Sequence, residues 1–219
     1  MQISRIPQIL FFAVCVRPLV LIALGLNIVN RKGLPTSGPA VIAANHNSHL
    51  DAIVLISLFP LSMIHRVRPA AAADYFLANP WRAWFSKNIM GIIPLDRTGG
   101  TDLDVLFESC REALDRGEVL ILFPEGSRGD PEKMGRVRKG IVHLLKDREH
   151  IDVIPIVMHG LGRALPRGEA LFVPFNCDVV IGDALRVSGT AAEFTQKLKL
   201  SFHKLLNCCL TRNLEDSEK

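Results

Sequence analysis

The chain of 219 residues is long enough for one globular domain with a small appendage, and its 48% hydrophobic and 22% charged residues exclude a disordered protein. Its net charge of +4 and mean hydropathy of +0.24 suit an anionic membrane surface or an acidic partner, whereas one Tyr and two Trp argue against nucleic-acid binding. The five cysteines have neither the spacing of metal ligands nor that of a disulfide framework, so we predict no metal site and a reducing compartment.

Residues 6–28 form a strongly apolar segment that Arg17 and Pro18 divide in two. Each half is too short to span a bilayer of about 30 Å, and a single span would bury Arg17. We therefore predict two short helices in or on one leaflet, with a kinked single span as the alternative. The basic residues expected at the lipid headgroups are Arg5, Arg17, Arg31 and Lys32. The predicted organisation is a membrane-associating helical segment (1–32), a globular domain (33–212) and a frayed tail (213–219).

Strands and helices alternate through the rest of the chain. Short apolar runs predict strands at residues 39–44, 67–73, 89–95, 119–123, 151–158, 171–173 and 178–181. Helices are predicted at 52–59, 79–88, 101–116 and 139–148, followed by a final amphipathic helix with an apolar stripe from Phe194 to Cys209. Continuous apolar strands are typical of a sheet buried on both faces. The predicted fold class is therefore α/β, with a largely parallel sheet flanked by helices.

A histidine and an aspartate, His46 and Asp51, flank the turn between the first of these strands and the helix that follows it. If the turn folds the carboxylate back onto the imidazole, the carboxylate fixes the ring's tautomer and stabilises the imidazolium that forms when the ring takes a proton. That arrangement is an oriented general base. The alternative is structural, because Ser48 and Asp51 also fit a capping box with Ser48 as the N-cap, and His46 alone could be a strand-end residue.

Polar residues also follow the strands predicted at 89–95 and 119–123. The carboxyl ends of parallel strands meet at one edge of a sheet, where loops carry the chemistry, so we expect these residues to lie near His46. Taken singly, each arginine among them could form a surface ion pair, and the second group could be an ordinary turn. The residues concerned are Asp96, Arg97, Glu125, Gly126, Ser127 and Arg128.

The motifs occur in the order His-x-x-x-x-Asp, Gly-Ile-Ile-Pro-Leu-Asp-Arg and Phe-Pro-Glu-Gly-Ser-Arg, and Val-Ile-Pro-Ile-Val follows at residues 153–157. This order resembles the four sequence blocks of the glycerolipid acyltransferase family, whose best-known members are the 1-acylglycerol-3-phosphate (lysophosphatidate) O-acyltransferases. The resemblance covers residues 39–185. It implies that His46 is the general base, that Asp51 orients it, and that Pro155 lies at the acyl-chain or donor site. The acceptor site, with its phosphate, would be formed by Arg97, Glu125, Gly126, Ser127 and Arg128.

Acyl transfer from a thioester to a hydroxyl needs no nucleophilic Ser or Cys, and the sequence contains no Gly-x-Ser-x-Gly motif. A neutral imidazole, whose ordinary pKa is near 6.5, can activate the hydroxyl. Backbone N–H groups in the turn at Gly126 are candidates for holding the oxyanion. The basic residues Arg136, Arg138 and Lys139 either meet the phosphates of coenzyme A or an acidic acyl carrier protein, or form a solvated helix start.

The expected protein is a membrane-bound O-acyltransferase that moves a fatty acyl group from acyl-CoA or acyl carrier protein to a lysophospholipid. The first expected acceptor is 1-acylglycerol-3-phosphate, which would give phosphatidic acid; glycerol 3-phosphate, another lysophospholipid or a lyso-aminolipid are the alternatives. A non-catalytic lipid-binding protein or a His-dependent esterase would be different classes. We expect no cofactor besides the acyl donor. We also expect membrane localisation, monotopic or single-span, with the catalytic domain on the cytoplasmic face.

Overall fold

A seven-stranded sheet forms the centre of the computed structural model, which describes residues 5–23, 25–48, 50–73, 79–96, 102–127, 134–164 and 176–212. The order across the sheet is β1-β7-β6-β2-β5-β3-β4. Strands from β6 to β4 run parallel, β7 is antiparallel to β6, and β1 is parallel to β7. The predicted largely parallel α/β sheet is confirmed. The strands are β1 (Gly25–Val29), β2 (Ala40–Ala44), β3 (Val67–Ala72), β4 (Ile93–Leu95), β5 (Val119–Leu122), β6 (Asp152–His159) and β7 (Asn176–Ile181).

Helices flank the sheet on both sides. They are α1 (Arg5–Leu10), a π-helical segment (Phe11–Val16), α2 (Arg17–Ala23), α3 (Asp51–Ser57), α4 (Pro80–Asn88), α5 (Leu103–Leu106), α6 (Glu108–Asp115), α7 (Gly140–Leu144), α8 (Leu161–Ala164) and α9 (Ala191–Leu206). Short 3-10 turns occur at Arg31–Gly33 and Ile64–Arg66. Helix α9 begins at a full capping box, in which Thr190 and Glu193 bond each other's backbone N–H groups.

Two apolar cores cover the two faces of the sheet, because successive residues of a strand point to opposite sides. Ile42 and Ile154 belong to a core shared with α3 and residues of the N-terminal helices. Val41 and Val153 belong to the other core, which α6, α7 and α9 complete. We call these sides the N-terminal face and the α9 face.

The N-terminal helical segment, residues 5–23, packs one stripe onto the sheet and leaves other apolar residues exposed. Phe12 and Val16 are 0% and 3% exposed, whereas Val14 and Ile22 are 67% and 85% exposed. The break expected at Pro18 does not occur: the backbone stays helical, and changes from π to α geometry at the preceding residue. None of the helices in the described part of the chain is long and apolar enough to cross a bilayer.

Two basic residues predicted at the lipid headgroups donate hydrogen bonds to the end of α3. Arg17 Nη2 lies 2.6 Å from the carbonyl O of Phe59, and Arg31 Nη2 lies 3.2 Å from that of Leu58. The last carbonyls of a helix lack intrahelical partners and favour a nearby cation. The two arginines therefore fasten the N-terminal segment and the chain after β1 to the helix that follows His46.

Several elements differ from the prediction. Strand β1 was not expected, because residues 25–29 continue the apolar segment assigned to membrane helices; they pair with β7, and so the predicted first segment contributes a strand to the sheet. The helix expected at 101–116 is α5 and α6, separated at Phe107, which leaves helical geometry and packs its ring against Gly140. The strand expected at 89–95 and the helix expected at 139–148 are shorter, as β4 and α7. The strand expected at 171–173 and the tail 213–219 lie outside the described residues.

Candidate active site

Asn45, the first residue after β2, extends the pairing of β2 and β6 through its side chain. Its Nδ2 donates to the carbonyl O of Met158 at 2.8 Å, and its Oδ1 accepts from the backbone N–H of Met158 at 2.7 Å. Asn47 Nδ2 donates to the same carbonyl at 3.1 Å. A side-chain amide thus takes the place of a backbone ladder pair where the strand ends. This pairing fixes the residues on both sides of His46.

The imidazole of His46 contacts the carboxylate of Asp51, as the first motif predicts. His46 Nδ1 lies 2.8 Å from Asp51 Oδ2, and the Asp51 side chain is fully buried. The same oxygen accepts the backbone N–H groups of Asn47 at 2.7 Å and Ser48 at 2.9 Å. The carboxylate therefore holds the backbone of the turn and orients the His46 ring with the same oxygen atom. Ser48 is not the N-cap: helix α3 begins at Asp51 with Leu50 in the cap position and no side-chain cap bond.

The phenyl ring of Phe123 stacks on one face of the His46 imidazole. The two ring centroids are 4.1 Å apart and their planes differ by 19°, so the rings are stacked. The His46 side chain is 21% exposed. Because Nδ1 contacts Asp51, Nε2 is the ring nitrogen left for a substrate. A ring fixed by a stack and a buried carboxylate, and partly open to its surroundings, has the geometry of a general base.

Glu125 is a buried carboxylate that joins two parts of the site. Its Oε1 accepts the backbone N–H of His46 at 2.9 Å, and its Oε2 accepts that of Gly135 at 2.7 Å. Burial raises the pKa of Glu125, and the two backbone N–H groups partly counteract that rise by favouring the ionised form. Both oxygens accept from the chain itself, so Glu125 ties β2 to the segment that begins at residue 134. The predicted contact of Glu125 with the acceptor stays a prediction, since both carboxylate oxygens already accept backbone N–H groups.

Gly126 occupies a turn that only glycine adopts readily, with φ of +80°. A Cβ atom there would meet the Arg138 guanidinium, 3.1 Å from its Nε, so Arg138 packs across the turn. The Gly126 N–H donates to the carbonyl O of Phe123 at 2.9 Å. The Gly126 N–H is thus used within the turn, and the expectation that N–H groups of this turn hold the oxyanion stays a prediction for its other residues. Ser127, the next residue, is exposed.

The remaining predicted site residues divide into three groups. Arg97 and Arg128 lie outside the described residues, although Asp96, which follows β4, is at the same sheet edge as His46. Pro155 lies within β6, buried opposite Ala43 and four residues before the strand's end, so the structure does not bring it to His46. Lys139 is exposed at the start of α7. No group of three or more His, Cys, Asp or Glu within the described ranges could hold a metal ion.

Sequence reasoning gave no role to four residues that build the site: Asn45, Asn47, Phe123 and Gly135. Asn at a strand end is a signal that could have been used, because its amide can mimic a backbone pair. An aromatic residue at the end of the neighbouring strand is a second such signal. Gly135 has no local signal, since its role depends on a carboxylate ten residues earlier that approaches within 2.5 Å of where its Cβ would lie.

The sequence was compared with models of known protein families. The sequence model of the family described as "Acyltransferase" matches residues 25–159, more than half of the chain. The chain belongs to the acyltransferase family. The match begins at β1, ends at the last residue of β6, and includes His46, Asp51 and Glu125.

Relatives of this chain are found in organisms as different as a plant and a mammal. The chain is 30% identical over 158 residues to the chloroplastic 1-acyl-sn-glycerol-3-phosphate acyltransferase of Arabidopsis thaliana, covering 71% of this chain and 42% of that protein. It is 27% identical over 146 residues to 1-acyl-sn-glycerol-3-phosphate acyltransferase alpha of Homo sapiens, covering 66% and 49%. The chain thus spans less than half the length of these relatives.

The fold also matches a solved structure. The crystal structure of the 1-acyl-sn-glycerophosphate acyltransferase PlsC from Thermotoga maritima superposes with a TM-score of 0.72, at 16% identity, over 95% of this chain and 81% of that one. At that identity the likeness concerns the fold. It agrees with the largely parallel sheet and flanking helices of this chain.

Proposed function

We propose that this protein transfers a fatty acyl group from an acyl thioester to the free hydroxyl of 1-acylglycerol-3-phosphate, giving phosphatidic acid. The observation that carries the proposal is the hydrogen bond between His46 and the buried carboxylate of Asp51, in a ring that remains partly exposed. Family membership and the activity for which the relatives are named support this reaction type.

In this mechanism His46 Nε2 takes the proton of the acceptor hydroxyl as its oxygen attacks the thioester carbonyl carbon. Asp51 stabilises the imidazolium that results, because an anion 2.8 Å away offsets the new charge. The tetrahedral intermediate then expels the thiolate, and the imidazolium protonates the leaving sulfur. The acyl carbon exchanges its bond to sulfur for a bond to oxygen, and no acyl-enzyme forms. Base catalysis of this kind contributes about 10²–10⁴-fold.

The arginines Arg97 and Arg128 are proposed to hold the acceptor phosphate, because forked hydrogen bonds from guanidinium suit phosphate oxygens. Arg138 supports the same region, since it packs across the Gly126 turn that precedes Arg128. We propose that Glu125 positions this region instead of contacting the phosphate.

We also propose that the N-terminal face docks on a membrane surface. Besides the exposed apolar residues of the N-terminal segment, Trp81 and Trp84 of α4 are 79% and 51% exposed. Helix α4 adjoins that segment, because the rings of Phe85 and Phe11 meet edge to face at 5.3 Å. Amphipathic segments with tryptophan are typical of interfacial binding. The cytoplasmic side is proposed because the five cysteines are free thiols.

The test is an acyl-transfer assay on the purified full chain in phospholipid vesicles. Two donors are used, acyl-CoA and acyl carrier protein loaded with the acyl group, each with a labelled acyl chain. Each donor is offered with lysophosphatidate, glycerol 3-phosphate, another lysophospholipid and a lyso-aminolipid. We expect labelled phosphatidic acid from lysophosphatidate at a rate at least tenfold above that with the other acceptors. Faster transfer to another acceptor would overturn the substrate assignment, and no transfer to any of them would overturn the reaction.

A further inference from the structure

A cavity of about 530 Å³ lies on the α9 face, between the segment 134–139 and helix α9. Gly135, Arg136 and Lys139 form one wall of it, and Thr195, Lys199 and His203 form the other. Its volume falls within the range of about 300–1,000 Å³ that is usual for small-molecule sites. None of the site residues predicted from the sequence belongs to α9, so this helix has no assigned role in the reaction.

Arg136, Lys139 and Lys199 give the cavity positive charge, and no Asp or Glu is among the described residues that line it. None of the three forms an ion pair with a carboxylate in the described part of the chain, whereas Arg111 and Arg148 on nearby surface are paired with acidic side chains. Three cations on one concave surface, with no ion pair to any described residue, favour a ligand with several negative charges.

Two hydrogen bonds link the wall of the cavity to the candidate active site. Its wall residue Gly135 donates its backbone N–H to Glu125, which accepts the backbone N–H of His46 with its other oxygen. One carboxylate therefore separates the cavity wall from the strand end that bears the proposed base. A ligand that reaches both places needs an anionic group at the cavity and a flexible arm leading to its reactive group.

We propose that this cavity binds the nucleotide of the acyl-CoA donor. The 3′-phosphate and diphosphate lie against Arg136, Lys139 and Lys199, and the pantetheine arm carries the thioester past Gly135 to His46. The proposal rests on the proposed acyl transfer, whose donor it specifies. It also separates the two substrates, because the membrane-facing apolar residues lie on the opposite face of the sheet from α9. An acidic carrier protein fits less well, since a stable protein interface buries about 800 Å² of each partner and these charges line a pocket.

The test compares Lys199→Ala with Lys197→Ala in the full chain. Both lysines are exposed on α9, but Lys197 does not line the cavity. We expect Lys199→Ala to raise KM for acyl-CoA about 3–10-fold, with kcat and KM for lysophosphatidate unchanged, because one phosphate contact is lost. Lys199→Glu has a larger effect and Lys197→Ala none. With acyl-pantetheine, which lacks the nucleotide, all variants behave alike.

A binding measurement separates this inference from the proposed reaction. Adenosine 3′,5′-bisphosphate is titrated calorimetrically into the same proteins, and we expect weaker binding to Lys199→Ala than to Lys197→Ala. Equal binding to both variants, or an equal KM change in both, overturns the nucleotide site. A KM change at Lys199 that appears only with acyl carrier protein also overturns it, in favour of protein docking. If the wild type transfers no acyl group, the reaction fails, while the titration still decides whether the cavity binds the nucleotide.

Discussion

Replacing Asp51 with asparagine keeps the side chain's shape and removes its charge. Asp51 Oδ2 accepts from His46 and from two backbone N–H groups, whereas Oδ1 is buried and has no hydrogen-bond partner in the described structure. The amide oxygen must take the Oδ2 position, because an NH₂ group there would face two N–H donors. The tautomer of His46 is thereby kept, and only the charge opposite the imidazolium is lost.

From this geometry we expect Asp51→Asn to lower kcat about 10²–10³-fold, or about 3–4 kcal/mol, with little change in either KM. The new NH₂ group is buried without a partner, which lowers the free energy of unfolding by about 1–3 kcal/mol. Thermal unfolding should shift down by about 2–4 °C per kcal/mol for a chain of this size. Steady-state acyl transfer in vesicles and a melting curve measure the two effects.

Asp178→Asn is the matched control. Asp178 is also fully buried and accepts hydrogen bonds from Asn27 Nδ2 at 2.7 Å and from the Thr211 N–H and hydroxyl at 2.7 and 2.6 Å. Within the described residues it has no hydrogen bond to the turn around His46. We expect a similar loss of stability with kcat unchanged. If the two variants lose activity equally, or if Asp51→Asn loses less than tenfold, the reasoning about an oriented base is refuted.

Three further predictions follow from contacts around the site and the N-terminal segment. Glu125→Gln should lower kcat at least tenfold, since an amide can accept only one of the two backbone N–H groups. Because burial raises the pKa of Glu125, the wild type should lose stability relative to this variant as pH rises from about 4.5 through the folded-state value, and the opposite slope in urea melts would refute the assignment. Phe123→Leu should lower kcat several-fold by loosening the His46 ring, and unchanged turnover would show that the stack is dispensable. Cys15 and Cys208 are both exposed. If the N-terminal segment docks on a membrane, vesicles should slow the alkylation of Cys15 by a polar reagent at least tenfold and leave the rate at Cys208 unchanged. Equal rates at Cys15 with and without vesicles would contradict membrane docking.

The fold was largely predictable because strands of a parallel sheet that is buried on both faces consist of continuous apolar residues. Strand β1 escaped prediction for the same reason: residues 25–29 continue the apolar N-terminal segment, and only their pairing with β7, about 150 residues later, makes them a strand. The break at Phe107 likewise coincides with a distant contact, because the Phe107 ring lies against Gly140. The local sequence pattern around residues 25–29 or around Phe107 contains no information about these distant contacts.

The candidate site shows the same division. The contact between His46 and Asp51 was predictable, because both residues belong to one short turn. The double role of Glu125 was not, since its two partners lie 79 and 10 residues away and both are backbone groups. The residue type shows that Glu125 can accept hydrogen bonds, whereas the tertiary fold determines which groups donate them.

The most direct measurement of the proposed base is the turnover of His46→Ala at saturating donor and acceptor. The bond between Glu125 and residue 46 uses the backbone N–H, so the variant retains it. The account predicts that kcat falls about 10²–10⁴-fold while lysophosphatidate binds as tightly as to the wild type. A kcat within tenfold of the wild type would contradict it, because the acceptor hydroxyl would then lose its proton to some other group.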